Sequence, residues 1–316
     1  MNRRSFLVRT AGLAAAGLFA PSLMRANPQA PGPKPAPAKP PPGPAITEFK
    51  PLRRNVGIFT GRGGTIGWLA SSSSLIVVDT QFPDTAAACA TGLPGRGSRT
   101  IDAVINTHHH FDHTAGNSVF RALTRTIVAH AKVPGLQAAA AEKAGTVADQ
   151  VYADTTFTDV WRHDCGDEAV LAQYSGPAHT GGDAVICFEK ANVIHMGDLV
   201  FNRMYPYIDR PGGASVRGWV RRLEEEEHTL PADAIYIFGH GNPKFGVTGT
   251  QKDLAVMRGF LNGMLEYVQK GIDAGWSRDQ ITVLDNLPGF DDWHVPKPNR
   301  LGGILGTVYD ELTAKA

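Results

Sequence analysis

The sequence predicts a layered α/β domain in which helices cover sheets. Two observations carry this: short β-rich runs alternate with longer helical stretches, and an antiparallel meander comes first. Size and composition set the bounds. The 316 residues are 42% hydrophobic and 19% charged, near the averages of globular chains, which excludes a wholly disordered chain and a polytopic membrane protein. That length allows one large core or two modest ones.

The elements are taken in chain order. Arg3-Arg4 precede an apolar, small-residue run at 11–19, and no acidic residue appears before Glu48. This is the n-region and h-region pattern of an export signal. The segment Asn2-Arg3-Arg4-Ser5-Phe6-Leu7 resembles the twin-arginine type, although Asn2 and Val8 depart from the commonest flanking residues. Residues 1–26 are therefore expected to be an export signal cleaved near Ala26, placing the protein in the periplasm or otherwise outside the cytoplasm. The apolar stretch is well below the roughly 20 residues that span a bilayer, so no membrane span is expected after cleavage. From 27 to 45 proline recurs at almost every second or third position, which favours an extended tether. Residues 46–316, C-terminal helices included, form the expected domain. Without residues 1–45 the chain holds 25 Lys+Arg against 30 Asp+Glu, a formal charge of −5. Nucleic acid is not an expected partner of such a chain.

Strands are expected at 55–60, 65–70 and 75–79, where β-branched and apolar residues are bounded by Gly61-Arg62-Gly63-Gly64 and by serines 71–74. A short helix at 83–91 carries proline in its first turn. A buried strand at 103–106 then ends in a histidine cluster. A helix after Asp112, a strand at 126–129 and an alanine-rich helix ending near Gly145 continue the alternation. Further strands fall at 169–175, 183–189 and 192–196, the last two joined as a hairpin by Lys190-Ala191. Helices at 216–229, 251–274 and 301–312, with a strand at 234–238 between the first two, complete the chain. Cys89, Cys165 and Cys187 are an odd number without CxxC spacing, so they read as buried small apolar residues and not as a disulfide framework.

The chemistry is concentrated in His108-His109-His110-Phe111-Asp112-His113. Imidazole and carboxylate are metal donors. On an extended segment His108 and His110 share one side, while Asp112-His113 at the start of the next helix can turn toward a neighbouring position. Two metals need donors from elsewhere, and three candidates follow apolar β runs beside glycine: His179 in Ala178-His179-Thr180-Gly181-Gly182, Asp198 after Gly197, and His240 in Gly239-His240-Gly241. Glycine lets the backbone bring such side chains into a crowded cluster. His109 is expected to face away from the metals, either supporting a ligand or solvated, and His130 to be structural. No context marks His163, His195, His228 or His294.

Taken together, His108-x-His110-x-Asp112-His113, His179, Asp198 and His240, in that order, resemble the metallo-β-lactamase superfamily over roughly residues 53–245. Asp79, at the end of the apolar run 75–79, resembles that family's early strand-end aspartate. The resemblance implies a four-layer αββα sandwich with the site at one edge. It also implies two divalent metal ions, zinc, with His108, His110 and His179 on one, Asp112, His113 and His240 on the second, and Asp198 bridging. A water between two such metals becomes hydroxide at neutral pH, and a metal polarises the carbonyl it attacks. Asp112 is the expected catalytic carboxylate, positioning that water or accepting its proton. The expected activity is hydrolysis of a small-molecule amide of β-lactam type, a lactone or a thioester. Members that destroy β-lactams commonly carry Cys or Ser in place of Asp198, whereas export places the chain where β-lactams act. Tyr205 and Tyr207, after the Asp198 loop, are candidates to line the substrate pocket, where a hydroxyl would steady an oxyanion. Lys244 is a candidate for a substrate carboxylate. Two other readings remain open: an iron-dependent persulfide dioxygenase on the same fold, and a metal-binding accessory protein without turnover. The sequence leaves the oligomeric state open.

Overall fold

A computed structural model of the chain describes residues 45–293 and 300–314; the expected export signal, the proline-rich tether up to residue 44, and His294 lie outside the described residues. Seven strands lie side by side in chain order in the first sheet: β1 (Glu48–Arg53), β2 (Val56–Thr60), β3 (Ile66–Ala70), β4 (Leu75–Val78), β5 (Ala103–Asn106), β6 (Ile127–His130) and β7 (Thr155–Phe157). The first four pair antiparallel, as the expected meander requires, and β4 through β7 run parallel. Parallel neighbours need crossovers, and α1 (Pro83–Gly92), α2 (Phe111–Thr114), α3 (Asn117–Phe120) and α4 (Val133–Ala144) supply them.

The later strands are β8 (Val160–Asp164), β9 (Ala169–Gln173), β10 (Val185–Phe188), β11 (Val193–His195), β12 (Phe201–Asn202), β13 (Ile235–Ile237), β14 (His240–Gly241) and β15 (Thr248–Gly249). Six of them form the second sheet in the order β15-β13-β11-β10-β9-β8, and β12 pairs with β14 beside it. The expected hairpin about Lys190-Ala191 is the antiparallel pair of β10 and β11. Helices α5 (Val216–Thr229), α6 (Lys252–Asp273), α7 (Arg278–Ile281) and α8 (Arg300–Thr313) follow. Among the described residues no helix is long and apolar enough to cross a membrane.

The layers follow from the two-residue period of the strands. In β4, Ile76 and Val78 face the second sheet, where they meet Ile186, Val193 and Ile237. Leu75 and Val77 face the other way, onto Ala86, Cys89 and Ala90 of α1. The second sheet alternates too: Val185, Ile194 and Tyr236 point outward onto Trp219 and Leu223 of α5 and Met257 and Phe260 of α6. Both sheets are thus apolar on two faces, and the stack is helix, sheet, sheet, helix. Helices α6 and α8 belong to the same outer core as α5.

Six strands escape the sequence reading, β1, β7, β8, β12, β14 and β15, and each is an edge strand of its sheet or belongs to the two-stranded pair. β1 carries Pro51 and β8 reads Val-Trp-Arg-His-Asp with alternating exposure. Edge strands tolerate proline and charge because one side makes no ladder, so their sequence lacks the apolar run of a central strand. The helix expected after Asp112 is two short ones, α2 and α3, with Ala115 and Gly116 between.

Candidate metal centre

Chain ends of the strands converge on one edge. Asp79 follows β4, the run from Thr107 to His110 follows β5, and α2 carries Asp112 and His113. From the second sheet, His179 lies between β9 and β10, Asp198 in a tight turn after β11, and His240 opens β14 after β13. Asp79 sits at φ 63°, a left-handed conformation strained by about 1–3 kcal/mol for a residue other than glycine. Its buried carboxylate accepts from the Thr107 backbone N–H, the Thr107 hydroxyl and His113 Nδ1, each at 2.8 Å. Close packing also needs two glycines. A Cβ at Gly239 would collide with the Asp198 carboxylate, and one at Gly64 with the His113 ring.

Two groups of donors result, each with its ligand atoms within 4.8 Å of one another: His108, His110, His179 and Asp198, and Asp112, His113 and His240. In the first, His110 Nδ1 stands 3.1 Å from His108 Nε2 and 2.9 Å from His179 Nε2. In the second, His240 Nε2 lies 3.1 Å from the Asp112 carboxylate and 3.3 Å from His113 Nε2. Asp198 reaches both: Oδ2 is 3.4 Å from His179 Nε2 and 3.5 Å from His240 Nε2, and Oδ1 is 3.2 Å from His113 Nε2.

Hydrogen bonds on the outer side of His108, His110 and His113 decide what those rings turn inward. Thr107 gives its one hydroxyl proton to Asp79, so toward His108 Nδ1, at 3.0 Å, it accepts. His108 Nδ1 then carries the proton and Nε2 is a bare lone pair. His110 Nε2 donates to the Asp209 carboxylate at 3.0 Å, which leaves Nδ1 bare. Two lone pairs at 3.1 Å repel unless a cation lies between them. Outer partners of this kind orient the histidines of metal sites. The buried Asp198 Oδ1 also lacks a hydrogen-bond partner of good geometry. The residues present fit a metal ion.

Electrostatics agree. Burial pushes His179 down to about 3 and, with the nearby His113 charge, holds His108 well below its usual value, so both stay neutral donors. For His113 burial works downward, but Asp198, Asp112 and Asp79 outweigh it and raise the ring well above its usual value. His240 is raised too, with Asp198 and Asp112 overcoming burial. Burial pushes Asp112 up, yet the His113 charge and the His240 hydrogen bond hold it at about 2. The second group is a place that stabilises positive charge.

The structure brings together seven residues singled out in the sequence, His108, His110, Asp112, His113, His179, Asp198 and His240. The three expected substrate contacts part company. Tyr207 is half exposed and its ring lies 5.4 Å from that of His110. Tyr205 is a correction: it is 1% exposed and stacks on Phe260 in the core, outside the lining of the cavity that borders His110. Lys244 pairs through its ammonium with Asp292 at 2.8 Å on the surface. His109 is buried and 3.2 Å from Asp209, so it supports the site and is not solvated. His130 stacks on Tyr174, outside the donor groups. Asp209, Thr107 and His195 were not legible. His195 accepts from Gly197 N–H at Nδ1 and donates to the Thr65 carbonyl at 3.0 Å, which secures the turn that carries Asp198. Its one signal was its place two residues before Gly197.

Residues 59–240 match the family described as the Metallo-beta-lactamase superfamily. A hydroxyacylglutathione hydrolase of Rhodospirillum rubrum is 24% identical over 181 residues, covering 54% of this chain and 58% of that protein. Another, of Methylococcus capsulatus, is 28% identical over 184 residues, covering 52% and 59%. The chain thus matches under two thirds of the length of these curated relatives. Among solved structures, the inverting sec-alkylsulfatase of a Pseudomonas species superimposes with a TM-score of 0.66 at 15% identity, over 86% of this chain and 51% of that one. A metallo-beta-lactamase from Pontibacter korlensis gives 0.58 at 17% identity, over 69% and 99%. At such identities the likeness is one of fold.

Proposed function

The chain belongs to the metallo-beta-lactamase superfamily, and from that membership we propose an exported hydrolase that holds two zinc ions and opens a carbonyl bond of a small molecule. His108, His110 and His179 would hold one ion and Asp112, His113 and His240 the other, with Asp198 available to both. The observation that carries this reading is the pair of bare nitrogens, His108 Nε2 and His110 Nδ1, held 3.1 Å apart by outer partners. Asp198, whose Oδ2 lies between His179 and His240 while Oδ1 faces His113, supports the second ion.

When bound, the ions supply Lewis acidity, polarising the carbonyl and acidifying the attacking water. The chain's own residues do the rest. Asp112 remains a carboxylate, at about 2, and its partly exposed oxygen orients the water and accepts its proton. Phe201 stacks on the His240 ring at 5.2 Å and fixes its plane. The names of the two hydroxyacylglutathione hydrolases support an acyl substrate, a thioester or lactone before a β-lactam-like amide. The Arg3-Arg4 pair supports export.

Metal analysis of anaerobically purified full chain is expected to find about two zinc ions per chain, with turnover in a panel of thioesters, lactones and β-lactams. One redox-active iron per chain with oxygen uptake on a persulfide overturns the reading in favour of a dioxygenase. Asp112→Ala is expected to lower kcat about 100-fold or more, and unchanged turnover removes Asp112 from the chemistry. Replacing Arg3 and Arg4 together by lysine is expected to strand the protein in the cytoplasm; unchanged export sinks the twin-arginine route.

A further inference from the structure

A cavity of about 640 Å³ borders the metal centre at His110 and Asp209, and its volume lies in the range of about 300–1,000 Å³ that encloses a small organic molecule. One wall is α4, whose Leu136, Ala140 and Ala144 face it; the opposite side is Tyr207 and Pro211, with Phe111 at the margin. The sequence of α4 makes the room. Where an exposed helix face ordinarily carries long polar side chains, Ala139, Ala140 and Ala144 are exposed and present only methyl groups. Phe111 and Tyr207 are two of the few large apolar side chains left exposed among the described residues, at 48% and 52%. Both line this cavity, and concave sites lined by apolar and aromatic side chains are where small organic ligands bind.

The charges in the lining are few. Asp209 is already engaged by His109, His110 and the Gly212 N–H. Lys143 is the one Lys or Arg side chain among the lining residues. A glutathione group brings two carboxylates and an ammonium, and this wall has one cation to meet them. A hydrocarbon group needs none and gains by leaving water.

We propose that the cavity seats an apolar acyl substituent of the substrate, an aliphatic chain or aromatic ring on the carbonyl carbon that water attacks beside the metal ligands, breaking its C–O or C–S bond to release an alcohol or thiol. This rests on the hydrolase reading above and specifies its substrate class: hydrophobic acyl esters and thioesters in preference to acyl-glutathiones. The carbonyl lies beyond His110, toward Asp198 and Asp112, and the acyl chain runs past Tyr207 along α4.

The test uses the metal-loaded full chain with matched ester and thioester series from acetyl to decanoyl, plus a hydroxyacyl-glutathione. kcat/KM is expected to rise about three- to fourfold for each methylene buried, until the cavity is full. Ala140→Trp fills the cavity from an exposed helix position. It is expected to lower the octanoyl-to-acetyl ratio of kcat/KM at least about tenfold, with metal content and circular dichroism as in the parent; Ala144→Leu is the milder variant should the first not fold. Octanoate is also expected to displace the fluorescent probe anilinonaphthalene sulfonate from the parent and not from Ala140→Trp. A flat chain-length profile with unchanged ratios in both variants overturns the proposal, as does preference for the glutathione thioester. If no ester, thioester, lactone or β-lactam is turned over by the metal-loaded protein, the hydrolase reading fails separately, and probe displacement alone then decides whether the cavity takes an apolar chain.

Discussion

At His110 one ring nitrogen is committed outward and the other is left for a metal, and the residue that makes this commitment is Asp209. Burial raises the Asp209 carboxyl, but its hydrogen bonds with His109 and His110 hold it well below the usual range, so it accepts as a carboxylate. Asp209→Ala frees the His110 ring to rotate or change tautomer and is expected to weaken metal at the first group about 10- to 100-fold. Titration with a competing chelator reads this, and unchanged affinity would mean that packing alone orients the ring. His179→Ala and His240→Ala, each from a different group, are each expected to lower bound metal by about one ion per chain; metal content equal to the parent in both refutes the two-group arrangement. Cys89 and Cys165 are buried as the sequence suggested, and Cys187 is half-buried. All three are free thiols, and burial pushes Cys89 and Cys187 up to about 12. Because the thiolate is the nucleophile, the native protein is expected to resist iodoacetamide at pH 8 for hours, as judged by intact mass, whereas the unfolded chain reacts at three sites.

Between elements, the N-terminus of α5 depends on the C-terminal helix. Ser215 caps it by accepting from Gly218 N–H at 3.0 Å, and Glu311 of α8 accepts from the Val216 and Arg217 N–H groups at 2.8 and 3.2 Å. A buried carboxylate on the first turn satisfies orphan donors and complements the helix dipole. Hydrogen bonds to a charged group contribute about 1.5–3 kcal/mol each at most, so Glu311→Ala is expected to destabilise the fold by about 1–3 kcal/mol. Denaturant midpoints read this. A denaturant midpoint unchanged in Glu311→Ala, with Ser215→Ala costing about 1 kcal/mol on its own, would show that Glu311 adds nothing. The effect extends to the site because α5 also holds Trp219, whose ring packs on His179 at 5.2 Å and whose N–H donates to the Leu199 carbonyl at 2.9 Å.

Across the whole molecule, the centre joins the two sheets: His108, His110, Asp112 and His113 come from the first, His179, Asp198 and His240 from the second. Metal bound there acts as a ligand of the native state, worth about 4 kcal/mol at a thousandfold excess over Kd. Its pH dependence has a definite sign. In the metal-free fold His113 and His240 have raised values, so the stability that their protons contribute is fully present below about pH 6.5 and is lost as pH rises through the folded values. A metal must displace those protons, and its affinity therefore grows with pH. The gap in Tm between the metal-loaded and chelator-stripped protein is expected to widen from pH 5.5 to pH 8, and a constant gap would place the metal away from these two rings.

How much was legible depends on how local each feature is. The strands β2 to β6 and the helices α1, α5, α6 and α8 showed as apolar runs and helical periods within a residue or two, because central elements bury their sides and must be apolar. The donors at 108–113 lie in one short run, and His179, Asp198 and His240 each follow a strand beside glycine, so residue type and spacing alone singled them out. Tyr205 and Tyr207 are two residues apart in one loop, and nothing local separates them. Only the packing of Phe260 and Trp293 draws Tyr205 inward and leaves Tyr207 beside His110. By itself, then, the sequence determined the layered class, the donor set and its order. The tertiary structure alone decided which nitrogen of His108, His110 and His113 faces inward, through Thr107, Asp209 and Asp79, and that an alanine-rich wall opens beside the ligands. Side-chain chemistry is written residue by residue, whereas a tautomer or a cavity exists only where segments distant in the chain meet.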